Sequence, residues 1–117
     1  MLLIWYPKCS TCQKAAAYLK EAGICVETRD IKAQPPTVEE LERWQPMSGL
    51  PLTRFFNTSG QQYRALGLKD KLPGLDRQAQ LELLASDGML VRRPLLIGED
   101  WVLVGFRPKE WAEKLEG

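Results

Sequence analysis

The order of apolar and polar positions along this chain divides it into short elements of two kinds. Leu2 to Tyr6 is a brief apolar run that reads as a buried strand, and Pro7, which cannot donate to a sheet ladder, ends it. Ser10 and Thr11 offer hydroxyls to cap a helix. Ala15, Tyr18, Leu19 and Ala22 then recur at helical spacing until Gly23. Ile24 to Arg29 reads as a second strand. Strand, helix and strand within about 30 residues form a βαβ unit, which predicts parallel strands joined by a right-handed crossover.

The middle of the chain is helical in pattern. Thr37 and Glu40 have capping-box spacing, and Val38, Leu41 and Trp44 mark an inner face. A helical turn is expected near Leu52–Phe56. Short helices are expected over Gln61–Leu66, closed by Gly67, and Asp76–Ala85, ended by Gly88. Pro94–Ile97 and Trp101–Val104 are two further apolar strands, joined by Gly98-Glu99-Asp100 in a span that suits a hairpin. Pro108 opens a last helix, with Trp111, Ala112 and Leu115 on its buried face. The expected architecture is one α/β domain over residues 1–117. It has a four-stranded mixed sheet in the order βαβ–ββα and a helical insert at about 37–85.

Composition narrows the function. The 117 residues carry 16 basic and 15 acidic side chains, a formal net charge of +1. Such a balance gives no electrostatic bias toward nucleic acid or an anionic membrane. No segment approaches the roughly 18 apolar residues of a membrane span, and no secretory signal is legible, so the expected location is the cytoplasm. There is no histidine. That excludes a Cys–His nucleophile pair, a Ser-His-Asp triad and any zinc site built on imidazole.

Chemistry then falls to three cysteines, Cys9, Cys12 and Cys25. In a reducing compartment a close pair points to catalysis, redox sensing or metal binding rather than to a staple. Cys9-Ser10-Thr11-Cys12 follows a strand and opens a helix, where free N–H groups and the helix dipole favour a thiolate. Lys8 and Lys14 add positive charge nearby. Cys9, at the tip, is expected to be the more acidic and exposed sulfur, and Cys12, one turn inside, the resolving thiol. The alternatives are a buried structural pair, or zinc, which needs four ligands where only three soft ones exist. Cys25, in an apolar strand, is expected to be an inert core residue. Glu39, Glu40 and Glu42 lie beside Arg43 and read as a solvated helix face, and the tryptophans as core.

Several segments in order resemble the arsenate reductase-like (ArsC/Spx) family, a branch of the thioredoxin-fold superfamily with a helical insert. They are Tyr6-Pro7-Lys8-Cys9-Ser10-Thr11-Cys12-Gln13-Lys14-Ala15, Phe55-Phe56-Asn57-Thr58-Ser59-Gly60 with Tyr63-Arg64, Leu83 to Leu90 leading to Arg92-Arg93-Pro94-Leu95, and Gly105-Phe106. The resemblance implies that Pro94 is the cis-proline facing the active cysteine and that Arg93 holds an oxyanion substrate. Arg54 and Arg107 lie near positions where the family's reductases place their other substrate-binding arginines. It implies no bound cofactor or metal, and an external thiol donor such as glutathione, glutaredoxin or thioredoxin. The family's glutaredoxin-dependent reductases use a single cysteine at the position of Cys9. The second cysteine, Cys12, is nearer to the family's redox-switch members, regulators that bind RNA polymerase rather than DNA. Those regulators carry a longer charged tail, whereas this sequence ends at Gly117. The expectation is a thiol-disulfide oxidoreductase, an arsenate reductase with Cys9 as nucleophile. The alternative is a redox-sensing regulator switched by a Cys9–Cys12 disulfide.

Overall fold

A computed structural model describes residues 1–116. Its framework is a four-stranded sheet of β1 (Leu2–Trp5), β2 (Glu27–Asp30), β3 (Leu95–Ile97) and β4 (Val102–Val104), in spatial order β2-β1-β3-β4. β1 and β2 are parallel, with Leu2 opposite Glu27 and Trp5 opposite Asp30. β3 runs antiparallel to both β1 and β4. The sheet is therefore mixed, with α1 (Ser10–Glu21) as the crossover between the parallel strands. This is a thioredoxin-like fold.

Between β2 and β3 lie α2 (Val38–Ser48), α3 (Gln61–Ala65), α4 (Leu68–Lys71) and α5 (Arg77–Ser86), and α6 (Pro108–Glu116) follows β4. The expected capping box is present: Thr37 Oγ1 accepts from Glu40 N–H at 3.1 Å, and a Glu40 carboxylate oxygen accepts from Thr37 N–H at 2.9 Å. The turn near Leu52–Phe55 is a 3-10 helix, and Gly67, at φ +63°, closes the turn after α3.

Side chains alternate across the sheet because successive strand residues face opposite sides. Ile4, Leu95, Ile97, Val102 and Val104 pack against the insert, with Leu41, Trp44, Phe55, Phe56 and Leu84. Leu3, Leu96 and Leu103 face the other way, onto Ala15, Leu19 and Trp111 of α1 and α6. The apolar strands are thus covered on both faces, which explains why β3 and β4 are apolar at every position.

Three expectations change. β2 begins at Glu27 rather than Ile24, because Glu27 N–H already bonds Met1 O (3.0 Å) and β1 offers no earlier partner. Cys25 therefore lies outside the sheet and is exposed, not a core residue. Gly88 does not stop α5, whose C-cap is Asp87. It opens a 3-10 turn packed on β2's exit, where a Cβ would stand 1.8 Å from the Ile31 carbonyl oxygen.

Candidate active site

The dithiol sits where β1 turns into α1. Cys9 has extended backbone angles, φ −89° and ψ 124°, and its carbonyl accepts the Gln13 N–H at 3.0 Å. Cys9 is thus itself the N-cap, and Ser10 and Thr11 already belong to the helix; neither supplies the expected capping hydroxyl. Tyr6 fixes both cysteines through its backbone. Its carbonyl accepts Cys9 N–H at 2.9 Å, and its N–H donates to Cys12 Sγ at 3.5 Å. Cys12 is fully buried and Cys9 partly exposed, both as free thiols.

The two thiols differ in acidity for stated causes. Partial burial pushes Cys9 up, but the Cys12 N–H and thiol, the Arg93 guanidinium and the Thr11 N–H together outweigh it and leave Cys9 below the ordinary thiol value. The cation acting on Cys9 is Arg93, not the neighbouring lysines. Cys12 is pushed up to about 12, first by burial, partly offset by the Tyr6 N–H, and further by the hydrogen bond and charge of Cys9. Cys9 is the thiol primed to ionise, and Cys12 stays protonated while Cys9 is a thiolate.

Cys9 opens into a cavity of about 800 Å³. Arg93 and Arg107 line it, as do Arg92, Asn57, Ser59 and Phe106. Arg93 lies over the Tyr6 ring, 5.5 Å from its centroid, and its Nε and Nη1 are buried without a hydrogen-bond partner. Buried guanidinium nitrogens without a partner are costly unless a ligand or water completes them. The Arg93–Pro94 peptide is cis, and the Pro94 carbonyl accepts Gly105 N–H at 2.8 Å, which joins β3's entrance to the turn before α6. At that turn Gly105 has φ +76°, a conformation that favours glycine.

Arg54 does not line this cavity. It lies in an adjoining crevice with Arg92 and Arg107. Sequence reasoning gave no role of its own to Arg92 or to Asn57. Asn57 is brought in by pairings with residues over 30 positions away: its N–H donates to Leu90 O at 2.8 Å, and Phe56 bridges Val91. No periodicity could reveal that. Among the described residues no group of three or more His, Cys, Asp or Glu is placed to hold a metal ion, and no helix is long and apolar enough to cross a membrane.

A Cys-x-x-Cys at the first helix of a thioredoxin-like sheet, with one thiol lowered and its neighbour raised, defines a thiol-based oxidoreductase. The ArsC family model matches residues 4–114, and the chain belongs to that family, within the ArsC/Spx thioredoxin-fold superfamily. It is 50% identical over 109 residues to the uncharacterized protein YusI of Bacillus subtilis (strain 168), covering 93% of this chain and 92% of YusI. It is 33% identical over 105 residues to the global transcriptional regulator Spx of Enterococcus faecalis, covering 89% of this chain and 77% of Spx. A crystal structure described as a possible arsenate reductase from Streptococcus mutans UA159 superposes with a TM-score of 0.84 at 50% identity, covering 91% and 90% of the two chains.

Proposed function

We propose that Cys9 and Cys12 form a reversible thiol–disulfide pair and that its redox state is the output of this protein. The observation that supports this is the opposed acidity of two neighbouring thiols, Cys9 lowered and Cys12 raised to about 12. Cys9 thiolate attacks a disulfide RSSR, forming a Cys9–SR mixed disulfide and releasing RS⁻. Capping Cys9 in this way removes the charge that helps hold Cys12 protonated, so Cys12 ionises more readily after the first step than before it. Cys12 then attacks Cys9 Sγ, expels the second RS⁻ and leaves an intramolecular disulfide. Two electrons pass from the dithiol to RSSR, and the two thiol protons go to solvent or to the released thiolates.

Of the finer readings, the redox-sensing regulator has the support of the relatives with named functions, such as the Spx protein at 33% identity. In that reading the Cys9–Cys12 state governs a contact with RNA polymerase. The arsenate-reductase reading has a separate observation in its favour, the unpartnered Arg93 beside Cys9. There Cys9 displaces water from arsenate, Arg93 steadies the oxyanion, and attack of Cys12 or an external thiol on Cys9 delivers two electrons to arsenic. The external thiol is glutathione, glutaredoxin or thioredoxin.

The deciding experiment has two arms on one preparation. Diamide treatment followed by mass spectrometry is expected to yield a Cys9–Cys12 disulfide, and its absence overturns the dithiol reading. RNA polymerase retained by tagged protein in one redox state, with no thiol-coupled arsenate turnover, selects the regulator. Turnover without retention selects the reductase.

A further inference from the structure

The two edges of the sheet are built differently. β2 is Glu27-Thr28-Arg29-Asp30, with the charges that blunt an edge against pairing. β4 is Val102-Leu103-Val104 and carries none. Its ladder to β3 fixes which backbone groups are spare. Gly98 N–H donates to Trp101 O and Gly105 N–H to Pro94 O, both at 2.8 Å, so Leu96 and Leu103 form the bonded pair between them. Val102 and Val104 therefore turn their N–H and C=O groups away from β3. Among the described residues none of these groups has a hydrogen-bond partner, although both valines are buried. Donors and acceptors of a strand edge are thus left open beside the core, at a cost in free energy that a pairing strand recovers.

We infer that the free edge of β4 takes an extended peptide of another protein as a fifth strand, and that this peptide alternates apolar and basic residues. The edge lies in a groove of about 480 Å³ between α2 and α6, and Cys9 is not among the residues that line it. Met47 of α2 stands on one wall, and Glu110 and Glu113 of α6 on the other. Side chains of an added strand point alternately to the two faces of the sheet. One set meets the Met47 wall and the other meets the two carboxylates. The one ion pair among the described residues is Arg29–Glu40, so neither Glu110 nor Glu113 is already paired there. Lys114, the one lysine lining the groove, lies over the Trp101 ring, 5.8 Å from its centroid. Arg54 and Arg107 stand beside Val104, so the basic side chains belong at the Trp101 end, against Glu113. The walls also select the kind of occupant. A second copy would bring its own α2 and α6 to the edge, wall against wall, whereas a bare strand fits between them. Main-chain bonds then supply affinity, and alternate side chains supply specificity.

The probe is an end-blocked peptide of about five residues, alternating valine and lysine, long enough to span β4 at about 3.4 Å per residue. It is titrated into the whole protein and followed by amide NMR. Saturable binding is expected. The Val102 and Val104 amides should exchange faster than that of Leu103 in the free protein and become protected in the complex. Methylating the peptide nitrogens that face β4 should abolish binding, and methylating the alternate nitrogens should not. A valine–glutamate peptide should not bind. Glu113→Lys, which turns an attraction into a repulsion, should weaken the lysine peptide about tenfold and leave Cys9 alkylation unchanged. An absence of saturable binding would overturn the proposal, as would binding that leaves Val102 and Val104 unprotected or survives methylation on the β4 side. So would equal binding of the glutamate peptide, or a dimer of the protein alone that protects the same two amides.

Discussion

Arg29 and Arg93 both lie against an aromatic ring, yet one is complete and the other open. Arg29 donates from Nε to Gln34 O (3.0 Å), from Nη2 to Pro35 O (3.1 Å), and from both Nη atoms to the Glu40 carboxylate at 2.8 Å, with Trp44 beneath it at 5.9 Å. Arg93 has the Tyr6 ring at 5.5 Å but leaves Nε and Nη1 buried and unpaired. An arginine whose fork is filled by its own chain ties β2 to α2 and has nothing left to offer. One that lies over a ring with Nε and Nη1 unpaired still has donors to offer. The same contrast separates Cys12, buried and hydrogen-bonded, from Cys9, partly exposed beside Arg93.

The largest effect should come from the open thiol. Cys9→Ser is expected to abolish thiol-dependent chemistry, because a serine hydroxyl is barely ionised at neutral pH. Cys12→Ser leaves attack intact and should trap a mixed disulfide on Cys9, visible by mass spectrometry and released by added thiol. If both variants keep full thiol-dependent activity and the wild type forms no Cys9–Cys12 disulfide under oxidant, the dithiol is structural.

Next comes the open arginine. In a Cys25→Ser background, which removes the exposed third thiol, iodoacetamide should label Cys9 well before Cys12. Arg93→Gln should raise the pH midpoint of that labelling, because it removes a charge that lowers Cys9. A loss of about tenfold in rate at mildly acidic pH is expected, with stability changed by no more than about 1 kcal/mol, the scale of the Tyr6 contact it gives up. A large drop in stability with an unchanged labelling profile would make Arg93 a second Arg29.

The sheet was largely legible because β1, β3 and β4 are apolar runs between proline and glycine breakers, and apolarity is what a doubly covered sheet demands. β2 was misplaced by the same logic. Ile24–Val26 is the apolar stretch, but the paired strand is the polar Glu27-Thr28-Arg29-Asp30, held at the sheet edge by its backbone ladder to β1. That error also put Cys25 in the core. The dithiol could be found because its two members are three residues apart. The cations around it could not be ranked, since Lys8 is near in sequence while Arg93 is near in space. Arg92 and Arg93 look alike in the chain and differ only in what the fold puts beside each.

The closed arginine predicts a stability effect without a redox effect. Glu40 is held at about 2, first by its hydrogen bonds from Arg29, against some cost of burial, and by the Thr37 N–H. Because the folded value lies below the unfolded one of about 4.3, this contribution is fully present above the unfolded value and is lost as pH falls from there through about 2. Glu40→Gln should cost about 1 kcal/mol at neutral pH, since it removes the charge that pairs with Arg29 while a glutamine oxygen still accepts from the Thr37 N–H of the capping box. It should also flatten the fall in stability across that acid window, measured by urea denaturation at stepped pH. Cys9 labelling should not change.

The smallest expected effect is at Tyr6, and it asks what keeps the open arginine open. The backbone of Tyr6 holds both cysteines, and any side chain preserves those bonds. Its ring lies against the Arg93 guanidinium that acts on Cys9. A cation–π contact at a partly exposed site contributes about 0.5–1 kcal/mol, which bounds the effect at two- to fivefold. Tyr6→Phe keeps the ring face and should match the wild type in the pH profile of Cys9 labelling. Tyr6→Leu keeps apolar bulk but loses the quadrupole, so Arg93 should wander and the profile should move upward by a few tenths of a pH unit. In an Arg93→Gln background, Tyr6→Leu should add nothing further, since the ring then has no cation to hold. A shift of equal size in both backgrounds would show that Tyr6 acts on Cys9 through packing alone, and the contrast between a filled and a poised arginine would then rest on Arg93's empty fork without the ring.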